Sequence, residues 1–492
     1  MADPVESMEI IFTEFYYWIT VVVMFLIHAG FMLYEVGAGR RKNVQHTLLK
    51  NLLLIPAVTI TFFFFGWWIY SSFVNGPGLT GGLVVDDAKF AEPWSEEMGT
   101  NMQDRINGVF WAAFLLFSWT AASIVSGSVI ERARVAGFVI IAILIGSVSW
   151  IIDAAWGWHP AGWMVQVMGY HDAYASGVIH AIAGGTALGV LVVLGPRIGK
   201  FARDGTPRVI PPHNMWMTGI GLFLIFTGFW GFYAACNIPI FDFGSDTGGE
   251  AFFTATNIYG MPTTLSAITF NFLMSLAGGL LAGYLISRGN VFWTFSGGLA
   301  GIIAASAGND LYHPIMALVL GALGAGLAFK LHGWVERRFK IDDVVGAVAV
   351  HGYAGVFGVI VAGFILWGYP AAAPVEEGRA WFTTPDGWPM INPLGQFLGA
   401  IIMFFVLGFI PAFVAAKILD RLNWLRVPAA VEAVGLDAHD EGDVYPYFQD
   451  RETEFELIER PEAADFVREN GRPRPGVAER PRPGVTEREE PR

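Results

Sequence analysis

Residues 172–180 read DAYASGVIH, and residues 343–351 read DVVGAVAVH. Each stretch is a carboxylate, seven mostly small or apolar residues and a histidine, and each histidine falls inside an apolar helical run. Ionisable side chains at bilayer depth are costly, so they are functional candidates by default. Two of them, at one spacing from an aspartate, read as a pair lining a single conduction path, with the rest of the chain as its scaffold.

The composition sets the solvent. Apolar residues make up 54% of the chain and charged residues only 15%, against roughly 25% charged in soluble domains. Mean hydropathy is +0.49. These values describe a polytopic membrane protein, and the many Phe and Trp suit aromatic belts at both interfaces. The single cysteine, Cys236, excludes an intrachain disulfide framework. Of the net charge of −13, residues 437–492 contribute −7, from 16 acidic and 9 basic residues. The membrane part is therefore close to neutral, and no nucleic-acid footprint appears. The start, MADPVESMEIIFTEF, has no basic n-region, so the first apolar run is expected to be a spanning helix rather than a signal peptide.

A helix needs about 20 apolar residues to cross the ~30 Å hydrocarbon core. That rule predicts eleven spans, at 11–35, 48–72, 107–129, 136–156, 174–195, 214–237, 262–286, 292–309, 313–331, 344–368 and 393–418. Basic residues cluster after every odd span up to the ninth: Arg40, Arg41 and Lys42; Arg132 and Arg134; Arg197, Lys200, Arg203 and Arg208; Arg288; then Lys330, Arg337, Arg338 and Lys340. The alternate loops carry Asp86, Asp87, Glu92, Glu96 and Glu97, or almost no charge. The positive-inside rule then places the N-terminus outside and the C-terminus inside.

The fold expected is thus all-α, with spans one to five and six to ten as inverted halves and one extra helix. Such repeats put their site at the midplane between the halves. Eight residues of helix cover about 12 Å, so with Asp172 at the outer mouth and Asp343 at the inner mouth each histidine lies near mid-membrane. Gly, Ala and Ser fill stretches such as IVSGSV (124–129) and HAIAGG (180–185), which let backbones approach closely. Residues 1–425 read as the transmembrane domain and 426–492 as a cytoplasmic tail. RPRPGVAE (472–479) nearly repeats there as RPRPGVTE (480–487), and the tail is expected to be largely disordered after about 445.

Several stretches together resemble the ammonium transporter family, the Amt branch of the Amt/Rh superfamily. They are HAGFMLYEVGAGRRKN (28–43), ASIVSGSVIER (122–132), SGVIH (176–180), GPRIGKF (195–201), GFWGFYAAC (228–236), DDVVGAVAVHGYAGVFG (342–358) and LRVPAAVEAVGLD (425–437). The resemblance spans about residues 20 to 438. It implies eleven helices, a homotrimer with one pore per subunit, and uptake of ammonium or methylammonium across the cell membrane. It also implies a PII signalling protein as partner on the cytoplasmic face.

By the same resemblance His180 and His351 match the twin pore histidines, and Phe117 and Phe232 the pore-blocking phenylalanines. Asp172 matches the aspartate near the outer recruitment site, and Trp158 the vestibule tryptophan, with Trp156 and Trp163 close by. Three departures fall at the outer end. Ala113 stands where the family has the outer phenylalanine of a pair, with Phe114 beside it. Tyr233 stands for an asparagine, and Cys236 for the serine that contacts the outer cation. Ala173–Tyr174–Ala175 replaces Phe-Ala-Gly.

The chemistry fits a small cation with four donors. An aromatic cage of Trp158 and Phe117 with Cys236 would hold it by cation–π attraction, although interface-belt and core roles also explain these rings. A hydrogen-bonded pair of neutral imidazoles suits an apolar pore, where charge is penalised. It could receive ammonia and relay a proton, because a bare cation cannot cross cheaply; a helix–helix polar clamp is the plainer alternative. The lone His28, His46 and His313 read as structural. Asp172 lies 80° around a helix from His180, so capping and shaping is its expected role, and Asp343 reads the same way at the inner end. No metal cluster, nucleophile–base dyad, phosphate loop or cofactor motif is visible, so an enzyme is not indicated. Two other readings remain, an ammonium-sensing receptor with little flux and an Rh-like gas channel for NH3 or CO2. The tail motif argues against the second.

Overall fold

The computed structural model describes residues 4–99, 105–239, 255–373 and 379–440. Eleven of its helices are long and apolar enough to cross a membrane: Ser7–Ala38, Arg41–Ser72, Asn107–Val129, Val135–Gly157, Ser176–Leu194, Met215–Ala235, Leu265–Ile286, Val291–Gly308, Pro314–Phe339, Val348–Ile365 and Pro393–Arg421. We call them the first to eleventh spans. The third has the expected ends. The ninth runs past the expected 331 to Phe339, because Trp334, Glu336, Arg337 and Arg338 extend it as a polar turn, with basic residues where they oppose the helix dipole. Several starts are fixed by side chains that accept a backbone N–H three residues on: Asn214, Thr264, Asn290 and Asn392. His313 accepts from Ile315 N, with Pro314 next to it in the first turn. A short antiparallel sheet, β1 (Asn237–Pro239), β2 (Ala255–Asn257) and β3 (Pro262–Thr263), lies beyond the sixth span. Strands of two or three residues leave no periodic signal in a sequence. The expected disorder after about residue 445 lies outside the described residues.

In hydrocarbon the backbone must be satisfied internally, so association relies on close packing rather than on hydrophobic burial. The first and sixth spans cross at Gly30 and Gly221. A Cβ on Gly221 would lie 2.4 Å from Tyr34 N, and one on Gly30 would lie 2.6 Å from the Gly221 carbonyl oxygen. Only hydrogen fits on either side.

One face of the bundle, the Asp343 face, gathers the predicted basic loops into a buried network. Glu131, in the left-handed region at φ 74°, accepts from Arg40 Nε at 2.7 Å and Arg197 Nη1 at 3.2 Å. Arg197 grips Asp342 with two nitrogens at 2.8 and 3.0 Å, and Arg132 Nη2 donates to the Asp342 carbonyl at 2.7 Å. Burial would raise the Glu131 carboxyl, but Arg40 and Arg197 more than offset it and hold it at about 2. Residues 426–437 fold back onto this face. Glu432 pairs with Arg426 at 2.8 Å and accepts Ile198 N at 2.7 Å, and Asp437 accepts the N–H groups of Gln45 and His46, each at 3.0 Å. The opposite end is the Asp172 face.

Candidate functional site

The two motifs of the sequence converge at the centre of the bundle. His180 lies in a π-helical turn, Ser176–Ala181, and His351 in another, Val348–Tyr353. Such turns are rare and frequent at functional sites. Their Nδ1 atoms are 3.1 Å apart, and both residues are buried. At that distance one Nδ1 carries a proton and the other receives it, as in a pair of neutral imidazoles. His180 Nε2 is buried without a partner among the described residues. The backbones meet as closely here as at the first crossing: a Cβ on Gly184 would lie 2.2 Å from Gly352 Cα.

Each turn begins on its aspartate. Asp172 is not in the helix, as the 80° argument assumed; it precedes it in a loop that includes Ala175 in the left-handed region at φ 73°. Its carboxylate accepts Ser176 N and Gly177 N at 2.7 Å and Val178 N at 2.9 Å. Asp343 accepts Ala347 N and Val348 N at 2.9 Å each. The caps lie at opposite faces, 171 residues apart, as the histidines are. Burial pushes the Asp172 carboxyl up to about 6 and the Asp343 carboxyl up to about 7, against the N–H groups that favour the charged form.

From His180 toward Asp172 a file of buried rings continues. Phe232 and Phe229 each stack on His180 at 5.8 Å between centroids. Phe117 meets Phe232 edge-on at 4.8 Å and Trp158 at 4.9 Å. Trp158 Nε1 donates to the Asp172 carbonyl at 2.7 Å, which ties the outermost ring to the loop that caps the fifth span. Trp156 and Trp163 pack on each other instead, 5.7 Å apart. On the other side Phe31 lies 6.4 Å from His351, and Asp343 borders a cavity of about 400 Å³.

The departures near the Asp172 face are filled locally. Ala113 is buried, and the neighbouring Phe114 packs on both Phe117 at 5.9 Å and Trp158 at 6.1 Å. Tyr233 stacks flat on Tyr174, 4.2 Å apart, and its hydroxyl bonds Ser306 at 2.7 Å and Asn309 at 2.9 Å. Cys236 Sγ donates to the Phe232 carbonyl at 3.4 Å. Tyr233 therefore faces its own stack, and Cys236 sits one turn beyond Phe232. Among the lone histidines, His28 packs on Trp119 at 5.0 Å and His46 lies buried against Asp437. The sequence reading missed Phe229 and Phe31. Their only signal was spacing, Phe229 three residues before Phe232 and Phe31 three after His28.

Residues 14–445 match the family model described as Ammonium Transporter Family. Amt2 of Methanocaldococcus jannaschii is 31% identical over 430 residues, covering 86% of this chain and 89% of the relative. Amt2 of Archaeoglobus fulgidus is 29% identical over 452 residues, covering 89% and 88%. A solved structure titled Sensor Amt Protein superposes with a TM-score of 0.70 at 23% identity, over 89% of this chain and all of that one. Saccharomyces cerevisiae Mep2 superposes at 0.64 and 17%, over 85% and 87%. The chain belongs to the ammonium transporter family, multi-pass membrane proteins that move a solute and catalyse no reaction.

Proposed function

We propose that this protein takes ammonium into the cell along the file of rings from Trp158 to Asp343. The observation that carries the reading is the buried His180–His351 contact at 3.1 Å, set in an otherwise apolar column. Ammonium is drawn to the Asp172 face, where Trp158 and Phe117 offer ring faces worth ~0.5–2 kcal/mol per contact and the Asp172 carboxylate adds negative potential. Taking the bare cation past Phe117 and Phe232 would forfeit its hydration without replacement. Neutral ammonia crosses there, and the proton moves separately along the imidazole pair. The buried, unpartnered His180 Nε2 gives ammonia a polar partner between the rings and the far cavity.

The basic loops on the Asp343 face support placing that face, and both the tail and a PII-type partner, on the cytoplasmic side. A homotrimer with one path per subunit completes the reading. The test is a current recording on proteoliposomes after an ammonium jump. A saturable signal lost in the His180→Ala/His351→Ala variant, with assembly unchanged, is expected. Unaltered methylammonium uptake in that variant would refute the path.

One observation favours a receptor with little flux. The Tyr174–Tyr233 stack, with the Tyr233 hydroxyl tied by two bonds, packs beside Phe232, where the family departures fall. Ligand-dependent protease sensitivity of the tail, with neither current nor internal alkalinisation, would establish it.

A further inference from the structure

His171 and Asp310 form a buried pair at the Asp172 face that lies outside the file of rings. Both ring nitrogens of His171 point at oxygen. Nε2 is 2.9 Å from Asp310 Oδ2, and Nδ1 is 3.0 Å from the Ala371 carbonyl oxygen. Asp310 Oδ2 also accepts Asn257 Nδ2 at 2.6 Å, while Oδ1 has no partner among the described residues. Both side chains are fully buried.

The proton count follows from the partners. A carbonyl oxygen has no proton to give, so His171 Nδ1 carries one. A second proton must lie between Nε2 and Oδ2, or two lone pairs would face each other at 2.9 Å. The pair is therefore imidazolium with carboxylate, or imidazole with carboxylic acid, and neutral overall either way. Loss of that proton leaves one negative charge in a buried site. Burial opposes the charged imidazole, but Asp310 and the Ala371 carbonyl outweigh it and raise His171 above its ordinary value.

Among the described residues, the titratable groups facing the pair are few. Tyr259, from the turn after β2, packs on His171 at 4.9 Å, and Tyr174 and Tyr312 lie beside Asp310. Burial keeps all three hydroxyls protonated. The carboxylate nearby is Asp172, the next residue, itself facing Asp153 and Tyr170.

That adjacency gives the pair its leverage. The His171 carbonyl accepts Gln396 Nε2 at 2.5 Å, and the next N–H, of Asp172, donates to Tyr259 Oη at 3.0 Å. Asp172 then caps the fifth span through its carboxylate and holds Trp158 through its carbonyl. We propose that His171 and Asp310 are a positioning pair for the entry site: one shared proton keeps the Asp172 loop docked, and its loss at alkaline pH loosens both the cap and Trp158. This rests on reading the Asp172 face as the entry.

The experiment pairs transport with spectroscopy. Uptake is measured against external pH at fixed ammonium concentration for wild type, Asp310→Asn and His171→Asn. Asp310→Asn removes the charge that holds the proton, so the alkaline fall shifts to lower pH. His171→Asn keeps a donor for the Ala371 carbonyl but has no ring to titrate, so its uptake is lower and the shifted limb is absent. Nitrogen and carboxyl-carbon NMR of the full chain at pH 7 should find the extra proton, either on both His171 nitrogens or on Asp310. Profiles that overlay in all three proteins overturn the proposal, as does a singly protonated His171 beside an ionised Asp310. A wild type that binds ammonium without transporting it would instead overturn the entry-path reading, and the spectra would still decide the proton count.

Discussion

Gly184→Ala tests whether the imidazole pair depends on how closely two helices meet. The new methyl would lie 2.2 Å from Gly352 Cα and 2.4 Å from Gly352 N. Both atoms are backbone, so no side chain can swing away. An ordinary contact begins at 3.4 Å, so the fifth and tenth spans must part by about 1.2 Å at this crossing. His180 lies one turn before Gly184, and His351 adjoins Gly352. If only half the displacement reaches the rings, the 3.1 Å Nδ1 contact opens beyond about 3.5 Å and ceases to be a hydrogen bond. Overpacking costs about 1–3 kcal/mol and the lost bond about 1 kcal/mol more. An added barrier of about 1–2 kcal/mol slows transport roughly 5- to 30-fold. Thermal unfolding in detergent and methylammonium uptake in proteoliposomes are the assays. Gly326→Ala is the control, since its methyl meets nothing nearer than Ile286 Cδ1 at 3.8 Å; it should be neutral or stabilising by about 0.4–1 kcal/mol. Wild-type uptake and melting in Gly184→Ala would refute the argument, and so would a variant structure that keeps the 3.1 Å contact.

Asp172→Ala orphans three buried N–H groups at about 1–3 kcal/mol each, a large part of any domain's stability, so little folded protein should accumulate. Asp172→Asn keeps one acceptor oxygen and should fold with a lower melting temperature and weaker uptake; equal stability of all three proteins in a melting series would dismiss the cap. Phe117→Ala removes one face of the Trp158–Phe117 pair and should raise the ammonium concentration for half-maximal uptake about 2- to 30-fold, read from substrate titration of the current. Glu131 has a folded value of about 2, below the ~4.3 of an unfolded chain. Its contribution is therefore complete above about pH 4.3 and is lost as pH falls through 2, on the order of 3 kcal/mol. Melting temperatures of wild type should fall steeply over that window, and those of Glu131→Gln should start lower and change less.

The fold was legible because a bilayer enforces simple rules. Apolar runs of about 20 residues and alternating basic loops located all eleven spans, and a miss such as Trp334–Phe339 fell where a helix leaves hydrocarbon and composition loses its meaning. The central site was legible for a related reason. A histidine in an apolar helix has few structural explanations, and two at one spacing from aspartate have fewer. The outer end was not. Whether Ala113 leaves a gap depends on Phe114, which reaches Phe117 and Trp158 from the next position. Whether Tyr233 faces the path depends on Tyr174, 59 residues earlier in sequence, lying flat against it. His171 and Asp310 carry no local pattern at all, since their outside partners, Ala371 and Asn257, come from two other segments.

The two caps show what symmetry determines and what it leaves free. Asp172 and Asp343 perform the same local task, holding the N–H groups of a π-helical turn that carries a histidine. Beyond each cap the surroundings diverge. At the Asp172 face the acidic neighbours are Asp153 and Asp310, the second held in a neutral pair with His171, among aromatic rings. At the other face Asp342 is committed to Arg197 and Arg132, and the cavity that Asp343 borders has Lys200, Lys330 and Arg337 on its wall. Lys200 is paired with Glu336 on that wall, which leaves Lys330 and Arg337 to oppose a cation approaching through the cavity, whereas neutral ammonia feels no such opposition. On the proposed path, the same fold element repeated in inverted sense would receive a cation at one end and release its neutral form at the other. Charge-reversing Lys330→Glu with Arg337→Glu should accordingly leave initial uptake from the Asp172 face intact and raise ammonium-driven efflux from the Asp343 face. Equal efflux in variant and wild type proteoliposomes of defined orientation would show that the cavity charges do not sort the two forms.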